Sequence, residues 1–317
     1  MSTPQPSTAG HDHLGRIIPP KVFASAEDNR AFWRDGYVVT DLLDDDAVAL
    51  LLERFATLEP SDGFDASERP SSDYHCTFLD DSLEYRRAVD AMTHELIDPV
   101  LEAVCPDFQV LTSNIYVKQP GHGNFEVHLN WITVDDPMAI TLTIWIPFDR
   151  YTPETGVIHV VPGSHKLFPD AATAAATQYF AGFHQELIDH HLVPLDVRVG
   201  QAVIFDDTLI HWSPGNHGVE PRIALQVEIV PRGSTTAVWV PDPEDERWFV
   251  LYDMDRTFWL EQDKTVFYSQ PDLPVLKRVP NHNRAVSYAE FVDRLEHGDR
   301  VRSRSYVLDD LDGAPER

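Results

Sequence analysis

Residues 200–226 read GQAVIFDDTLIHWSPGNHGVEPRIALQ. Gly200 closes a turn, and Ala202 to Phe205 is a short apolar run with strand character. Ser213, Pro214, Gly215 and Asn216 then mark a loop. A second apolar run begins at Arg222, eleven residues after His211. The same texture extends upstream. Apolar or alternating runs recur at 109–118, 125–132, 139–146, 156–161, 194–199, 201–206, 208–212 and 222–230. The turn-forming stretches QPGHGN, DDP, PETG, PGSH and SPGNHG separate them. Many short strands at this spacing predict a mainly β protein, a sandwich or jelly roll.

Helical patterns flank that core. Ser25 to Asp28 has the look of a capping box opening a helix that stops at Gly36. YVVTDLL (37–43) reads as a strand. Asp44 to Asp46 place negative charge at the start of a second helix, 46–58. A loop at 60–73 precedes a long helix over 83–104, in which Pro99 is a candidate kink. The Ala-rich segment 168–192 reads as a helical insertion over one end of the barrel. Residues 1–20 are expected to form a flexible arm. Residues 21–231 are expected to form one body with the core. An aromatic, acidic and irregular extension at 232–317 is expected to pack on it, with a helix near 288–297.

Charge narrows the partners. The chain has 317 residues, 43% of them hydrophobic, and a formal charge of −27. Such a chain repels nucleic acid and anionic membrane surfaces. Its two cysteines, Cys76 and Cys105, offer neither a zinc spacing nor a disulfide framework. No apolar run is long enough for a signal h-region or a bilayer span, so the expected location is the cytoplasm.

The chemistry gathers around VHLNW, residues 127–131. In a strand, residues i and i+2 point to one side, so His128 and Asn130 can reach one metal, with His211 coming from the facing sheet. A non-haem iron site takes two imidazoles and usually a carboxylate on one face of the metal. Arg222 offers a planar fork of donors to a carboxylate about one 2-oxoglutarate length away, and Ser213 can bond the same group. Asn130 stands where that carboxylate is expected. Its neutral carbonyl weakens the hold on a hard cation, and an Asp there should bind ferrous iron more tightly. Glu126 is the other carboxylate on the same strand face and is expected deeper in the barrel.

FWRDGYVVTDLLDDDAV (32–48), VHLNWITVDD (127–136), WIPFDRYTPETGVIHVVPGSHK (145–166) and the opening stretch together resemble the phytanoyl-CoA dioxygenase family of Fe(II)/2-oxoglutarate-dependent oxygenases. The resemblance runs from about residue 29 to 231. It implies a double-stranded β-helix (jelly roll, cupin-like) and dependence on Fe(II), 2-oxoglutarate and O2. It implies iron on His128 and His211, with Asn130 at the third position, and the distal carboxylate on Arg222 and Ser213. Lys118 and Trp145 match positions that line the co-substrate site in some members. The implied reaction oxidises an unactivated C–H bond, with hydroxylation as the default, and converts 2-oxoglutarate to succinate and CO2. No basic cluster suits the phosphates of coenzyme A, so the expected substrate is a small secondary metabolite or an amino-acid-like compound. Trp131, Tyr116, Trp212 and the insertion should shape its pocket, and His190 and His191 could reach it. The extension is suited to a homodimer contact. The competing reading is a catalytically impaired jelly-roll protein that binds 2-oxoglutarate or a partner.

Overall fold

The computed structural model describes residues 21–65, 72–136, 139–168, 171–173, 176–261 and 272–297. It also describes one short antiparallel pair, β1 (Gly10–His11) with β2 (Ile17–Ile18). The rest of the expected arm at 1–20 lies outside the described residues.

Helix α1 (Ala26–Asp35) starts where Ser25 accepts a bond from the Asp28 N–H, 3.2 Å. It ends at Gly36, whose φ of 88° is left-handed. Strand β3 (Tyr37–Asp41) follows, then α2 (Asp45–Phe55), capped by Asp44, and the two-residue β4 (His75–Cys76). Helix α3 (Leu83–Val104) runs unbroken through Pro99. Pro99 lies on the exposed side, where the carbonyl deprived of its N–H partner can turn to water.

Next come β5 (Phe108–Lys118), β6 (Leu142–Pro147), β7 (His159–Val160), α4 (His184–His190) and β8 (Val193–Pro194). They are followed by β9 (Gln201–Asp206), β10 (His211–Trp212) and β11 (Arg222–Pro231). The chain continues through β12 (Ala237–Pro241), β13 (Trp248–Asp253), α5 (Arg256–Glu261), β14 (Val275–Pro280) and α6 (Tyr288–His297).

The major sheet has six antiparallel strands in the order β3-β9-β6-β11-β5-β4, and a minor sheet, β10-β7-β8, faces it. Alternation along β11 builds the two sides. Leu225, Val227 and Ile229 join Val89, Leu96, Ile97 and Leu101 of α3 in the main core. Gln226 and Glu228 point the other way and line the barrel interior. The helices thus cover the outer face of the sheet and leave its inner face for polar chemistry.

Three expectations need correction. Residues 125–132 do not form a ladder strand; the segment is held by single bridges, His128 to His211 and Val134 to Thr236. The insertion 168–192 is helical only over α4, and part of it lies outside the described residues. Its Tyr179, Phe180 and Phe183 pack against Phe291 of α6 in a core of their own, and tertiary packing of bulky rings there overrides alanine's helix preference. The extension is not irregular, because β12, β13 and β14 make a third antiparallel sheet. Val238, Val240, Val250 and Tyr252 bind it to Leu111, Val134 and Val230 of the body.

Gly36 ties the first helix to the loop before His211. A Cβ there would lie 2.5 Å from His165 Nδ1 and 2.7 Å from Leu209 Cδ1. Gly36→Ala combines a left-handed φ with overpacking and should destabilise the fold by about 1–3 kcal/mol. Urea denaturation measures it; an unchanged midpoint would mean that His165 and Leu209 move aside freely.

Candidate active site

The interior of the barrel has two chemically distinct poles. At the first, the backbones of His128 and His211 exchange both hydrogen bonds, each 3.0 Å. A directly opposed pair presents its side chains on one face. The imidazole centroids lie 4.1 Å apart. Each Nδ1 donates to a carbonyl two residues upstream, His128 to Glu126 at 2.7 Å and His211 to Leu209 at 2.9 Å. That fixes the tautomer and leaves each Nε2 with a lone pair. Burial lowers the pKa of both rings, and His128 lowers that of His211 further. Both rings are therefore neutral near pH 7, the form that binds a metal.

Asn130 lies beside them and lines the same cavity. Its Nδ2 donates to Thr143 Oγ1 at 2.6 Å. Glu126, expected deep in the barrel, is exposed and serves through its backbone oxygen. A different carboxylate occupies the interior. Asp207 is 1% exposed, and its Oδ1 accepts from Thr143 Oγ1 at 2.7 Å. Burial raises the Asp207 pKa to about 6, and burial together with Asp207 raises that of Glu228 well above the usual carboxyl range. Asp207 escaped the sequence reading because DD after an apolar run looks like turn chemistry. Asp206 does play that part, accepting from the Thr208 N–H at 2.8 Å.

At the second pole two cations are buried side by side. Arg222 is 3% exposed and Lys118 fully buried, and they are cross-strand partners on β11 and β5. Among the described residues, no carboxylate comes within 4.0 Å of either. Lys118 spends its ammonium on Ser213 O (2.9 Å), Ser213 Oγ (2.6 Å) and Pro214 O (2.9 Å). Arg222 donates to Ser213 Oγ at 3.1 Å, and its Nε is buried without a partner. Its guanidinium carbon lies 4.9 Å from the centre of the Trp145 ring and 5.7 Å from that of Tyr151. Burial draws the Lys118 pKa well down and that of Arg222 to about 10, so Arg222 stays charged at neutral pH.

These contacts show what two expected binders bond within the chain. Ser213 gives its hydrogen to Gly156 O at 2.9 Å and accepts from both cations, so it orients them. Lys118 is a strut beneath Arg222. The guanidinium is the group left to meet an anion, with Trp145 holding its plane. Tyr151 and Gln226, which the sequence reading did not select, also belong here: Tyr151 OH bonds the backbone at Ile223 (2.8 Å), and Gln226 lines the cavity.

One cavity joins the poles, lined by His128, Asn130, His211, Trp145, Ser213 and Arg222. Beside it opens a chamber of about 690 Å³ that shares His128, Asn130, Tyr116, Phe125 and Gln226 with it. Tyr116 and Trp131 line the chamber as expected, whereas Trp212 lines the smaller cavity. Among the described residues the insertion contributes no lining side chain. Its place is taken by Tyr74, Phe78 and Arg86 and by Trp259 and Glu261 of α5. His191 instead bonds Tyr288 of α6, 2.9 Å. Asp62, His75 and Asp80 also form a compact set of potential ligands. There His75 has both ring nitrogens engaged, one by Asp62 and one by Tyr85, each at 2.8 Å, and reads as a structural strut.

Several solved structures resemble the chain. One is the non-heme alpha ketoglutarate dependent carbocyclase SnoK from nogalamycin biosynthesis: 20% identity over 67% of this chain and 86% of that one, TM-score 0.47. Another is HygX from Streptomyces hygroscopicus with nickel and 2-oxoglutarate bound: 14%, 66% and 88%, TM-score 0.47. A third is EctD from S. alaskensis with bound Fe: 24%, 67% and 78%, TM-score 0.45. No curated protein sequence matches the chain. The family model for phytanoyl-CoA dioxygenase (PhyH) matches residues 32–224, a span that contains both histidines, Asn130 and the Arg222 pole. The chain therefore belongs to the phytanoyl-CoA dioxygenase family of non-haem iron, 2-oxoglutarate-dependent dioxygenases.

Proposed function

We propose that this chain is an Fe(II)/2-oxoglutarate-dependent oxygenase that hydroxylates an unactivated C–H bond of a small organic molecule. The observation behind this is the pairing of the two poles in one cavity: two neutral imidazoles with free Nε2 atoms, and a buried guanidinium that has no carboxylate partner among the described residues. His128 and His211 would hold the iron, with the Asn130 Oδ1 as a neutral third donor. Arg222 would take the distal carboxylate of 2-oxoglutarate, oriented by Trp145 and Ser213. A buried cation is costly unless paired, and a dicarboxylate whose far end reaches the metal answers both poles. When bound, iron and 2-oxoglutarate would supply oxygen activation, in which one oxygen atom of O2 would enter succinate as CO2 leaves and the other the substrate C–H bond.

The chain's own residues do the positioning. The backbone carbonyls of Glu126 and Leu209 keep the proton on each Nδ1. Trp145 and Phe205 wall the co-substrate cavity from water, and the Phe205 ring lies 4.8 Å from the His211 ring. A chamber of this size suits a drug-sized molecule. Its aromatic lining from Tyr74, Phe78, Tyr116, Trp131 and Trp259 favours a substrate with substantial apolar surface, such as a secondary metabolite. A neutral Asn130 also keeps alive a second reading, a protein that binds 2-oxoglutarate without turnover. Succinate release from 2-oxoglutarate with ferrous iron and oxygen distinguishes them.

Arg222→Ala should weaken 2-oxoglutarate by about 2–4 kcal/mol, the loss of a buried charge-assisted pair. Calorimetry on the folded variant with metal present reads it directly; an unchanged Kd would remove Arg222 from this role. His211→Ala should abolish ferrous iron binding while the metal-free protein keeps its melting temperature within a few degrees. Retained iron binding together with a collapsed melting temperature would assign His211 to the core instead.

A further inference from the structure

Asn130 is tied to Asp207 in three ways. Its backbone N–H donates to the Asp207 carbonyl at 2.9 Å. Its Nδ2 reaches Asp207 Oδ1 at 3.3 Å and Thr143 Oγ1 at 2.6 Å. Thr143 passes its own hydrogen to the same Asp207 Oδ1 at 2.7 Å. Asp207 Oδ2 is buried and without a hydrogen-bond partner among the described residues. The side chain is therefore a nearly enclosed carboxylate, aimed at the back of the residue that stands where the family's third ligand is expected.

We propose that Asp207 is the positioning residue of the metal pole. It turns the amide of Asn130 so that the NH2 faces the barrel wall and Oδ1 faces the imidazoles, and it supplies from behind the negative charge that the ligand lacks. Shape alone does not orient a carboxamide, because its oxygen and nitrogen are nearly isosteric. Here two acceptors decide: Thr143 Oγ1, whose own proton is committed, and the Asp207 carboxylate behind it. Groups that orient a metal ligand through a hydrogen bond typically change metal affinity 10–100-fold when lost. Asp207 does not ligate the metal itself. Among the described residues, no carboxylate forms with His128 and His211 a set of ligand atoms all within 4.8 Å of one another. Its effect passes through Asn130.

This reverses the simple expectation for Asn130→Asp. A carboxylate at 130 would face the Asp207 carboxylate across one hydroxyl, which can donate to only one of them. The like charges oppose each other and offset the new ligand's attraction for the metal. Exchanging the pair removes the conflict, because an amide at 207 can donate to a carboxylate at 130.

The proposal rests on His128 and His211 being the metal ligands, and the test separates the two claims. Co(II) is titrated by its visible absorption into the full-length wild type, Asn130→Asp, Asp207→Asn, the double variant and His211→Ala. Asn130→Asp alone should bind within about threefold of wild type. Asn130→Asp combined with Asp207→Asn should bind at least tenfold tighter than Asn130→Asp. The Co(II) band should move between those two variants, which a merely structural role for Asp207 would not produce. Asn130→Asp and Asp207→Asn are isosteric. Asp207→Ala should weaken Co(II) at least tenfold, and the isosteric cycle stands if that truncation fails to fold. An additive cycle, in which Asn130→Asp gains the same factor with and without Asp207→Asn, overturns the proposal while wild type still outbinds His211→Ala. Equal binding by wild type and His211→Ala would sink the metal-site reading, and the role of Asp207 with it.

Discussion

The site depends on one pair of hydrogen bonds. His128 and His211 are more than 80 residues apart in sequence, and their backbones bond each other outside any extended ladder between their segments. That bridge makes the two imidazoles neighbours on one face. An isolated bridge is weak alone, since each bond contributes about 1 kcal/mol net. It persists because both flanks are anchored. His211 opens β10, which pairs with β7, and the Phe125 N–H is bound to Ser213 O at 3.1 Å. Below the bridge, Asn130 bonds Asp207. Three residues of one segment, Phe125, His128 and Asn130, are thus stitched to the loop that carries His211, which gives the proposed metal site its rigidity.

Around this clamp the barrel interior holds buried ionisable groups at both ends, and burial disfavours the charged form of each. Among the described residues, the basic groups Lys118 and Arg222 have no carboxylate partner, and the acids Asp207 and Glu228 have no basic partner. The two sets do not neutralise each other, because β11 places Arg222 and Glu228 six residues apart, at opposite ends of its inner face. The fold keeps them apart although burying an unpaired ionisable group disfavours the empty protein. A metal near the acids and a dicarboxylate between the poles would relieve both, so such ligands should stabilise the fold as well as fill it.

Much of this could be read in the sequence where the signal was periodic. Strands β5, β9 and β11 emerged from alternation, and α1 from its capping serine and terminal Gly36. His128, Asn130, His211 and Arg222 come together as the spacing suggested. Three features were not legible, each for its own reason. Residues 125–132 alternate like a strand, but hydrogen-bond partners decide a strand and most of these are missing. The alanines of 168–192 favour helix weakly, and clustered aromatic rings outweigh that preference. VWV and WFVLY in the extension are strand-like, yet the acidic turn between them made the region look irregular. Ser213 and Lys118 lie at the second pole, and only geometry shows that their hydrogen bonds are committed to each other, to Arg222 and to backbone.

Coulomb's law says why the placement of Asp207 matters. A carboxylate at 130 would put its charge about 2 Å from a bound dication. A carboxylate behind a neutral amide sits at more than twice that distance, so at fixed dielectric its attraction falls to less than half. The difference lies in the strength of the grip, not in the overall charge of the region. A neutral carbonyl donor also pushes less electron density onto the metal than a carboxylate does. Under the proposed role of Asp207, the departure at residue 130 and the buried acid at 207 are parts of one arrangement. Thr143 connects the two side chains, accepting from Asn130 Nδ2 at 2.6 Å and donating to Asp207 Oδ1 at 2.7 Å.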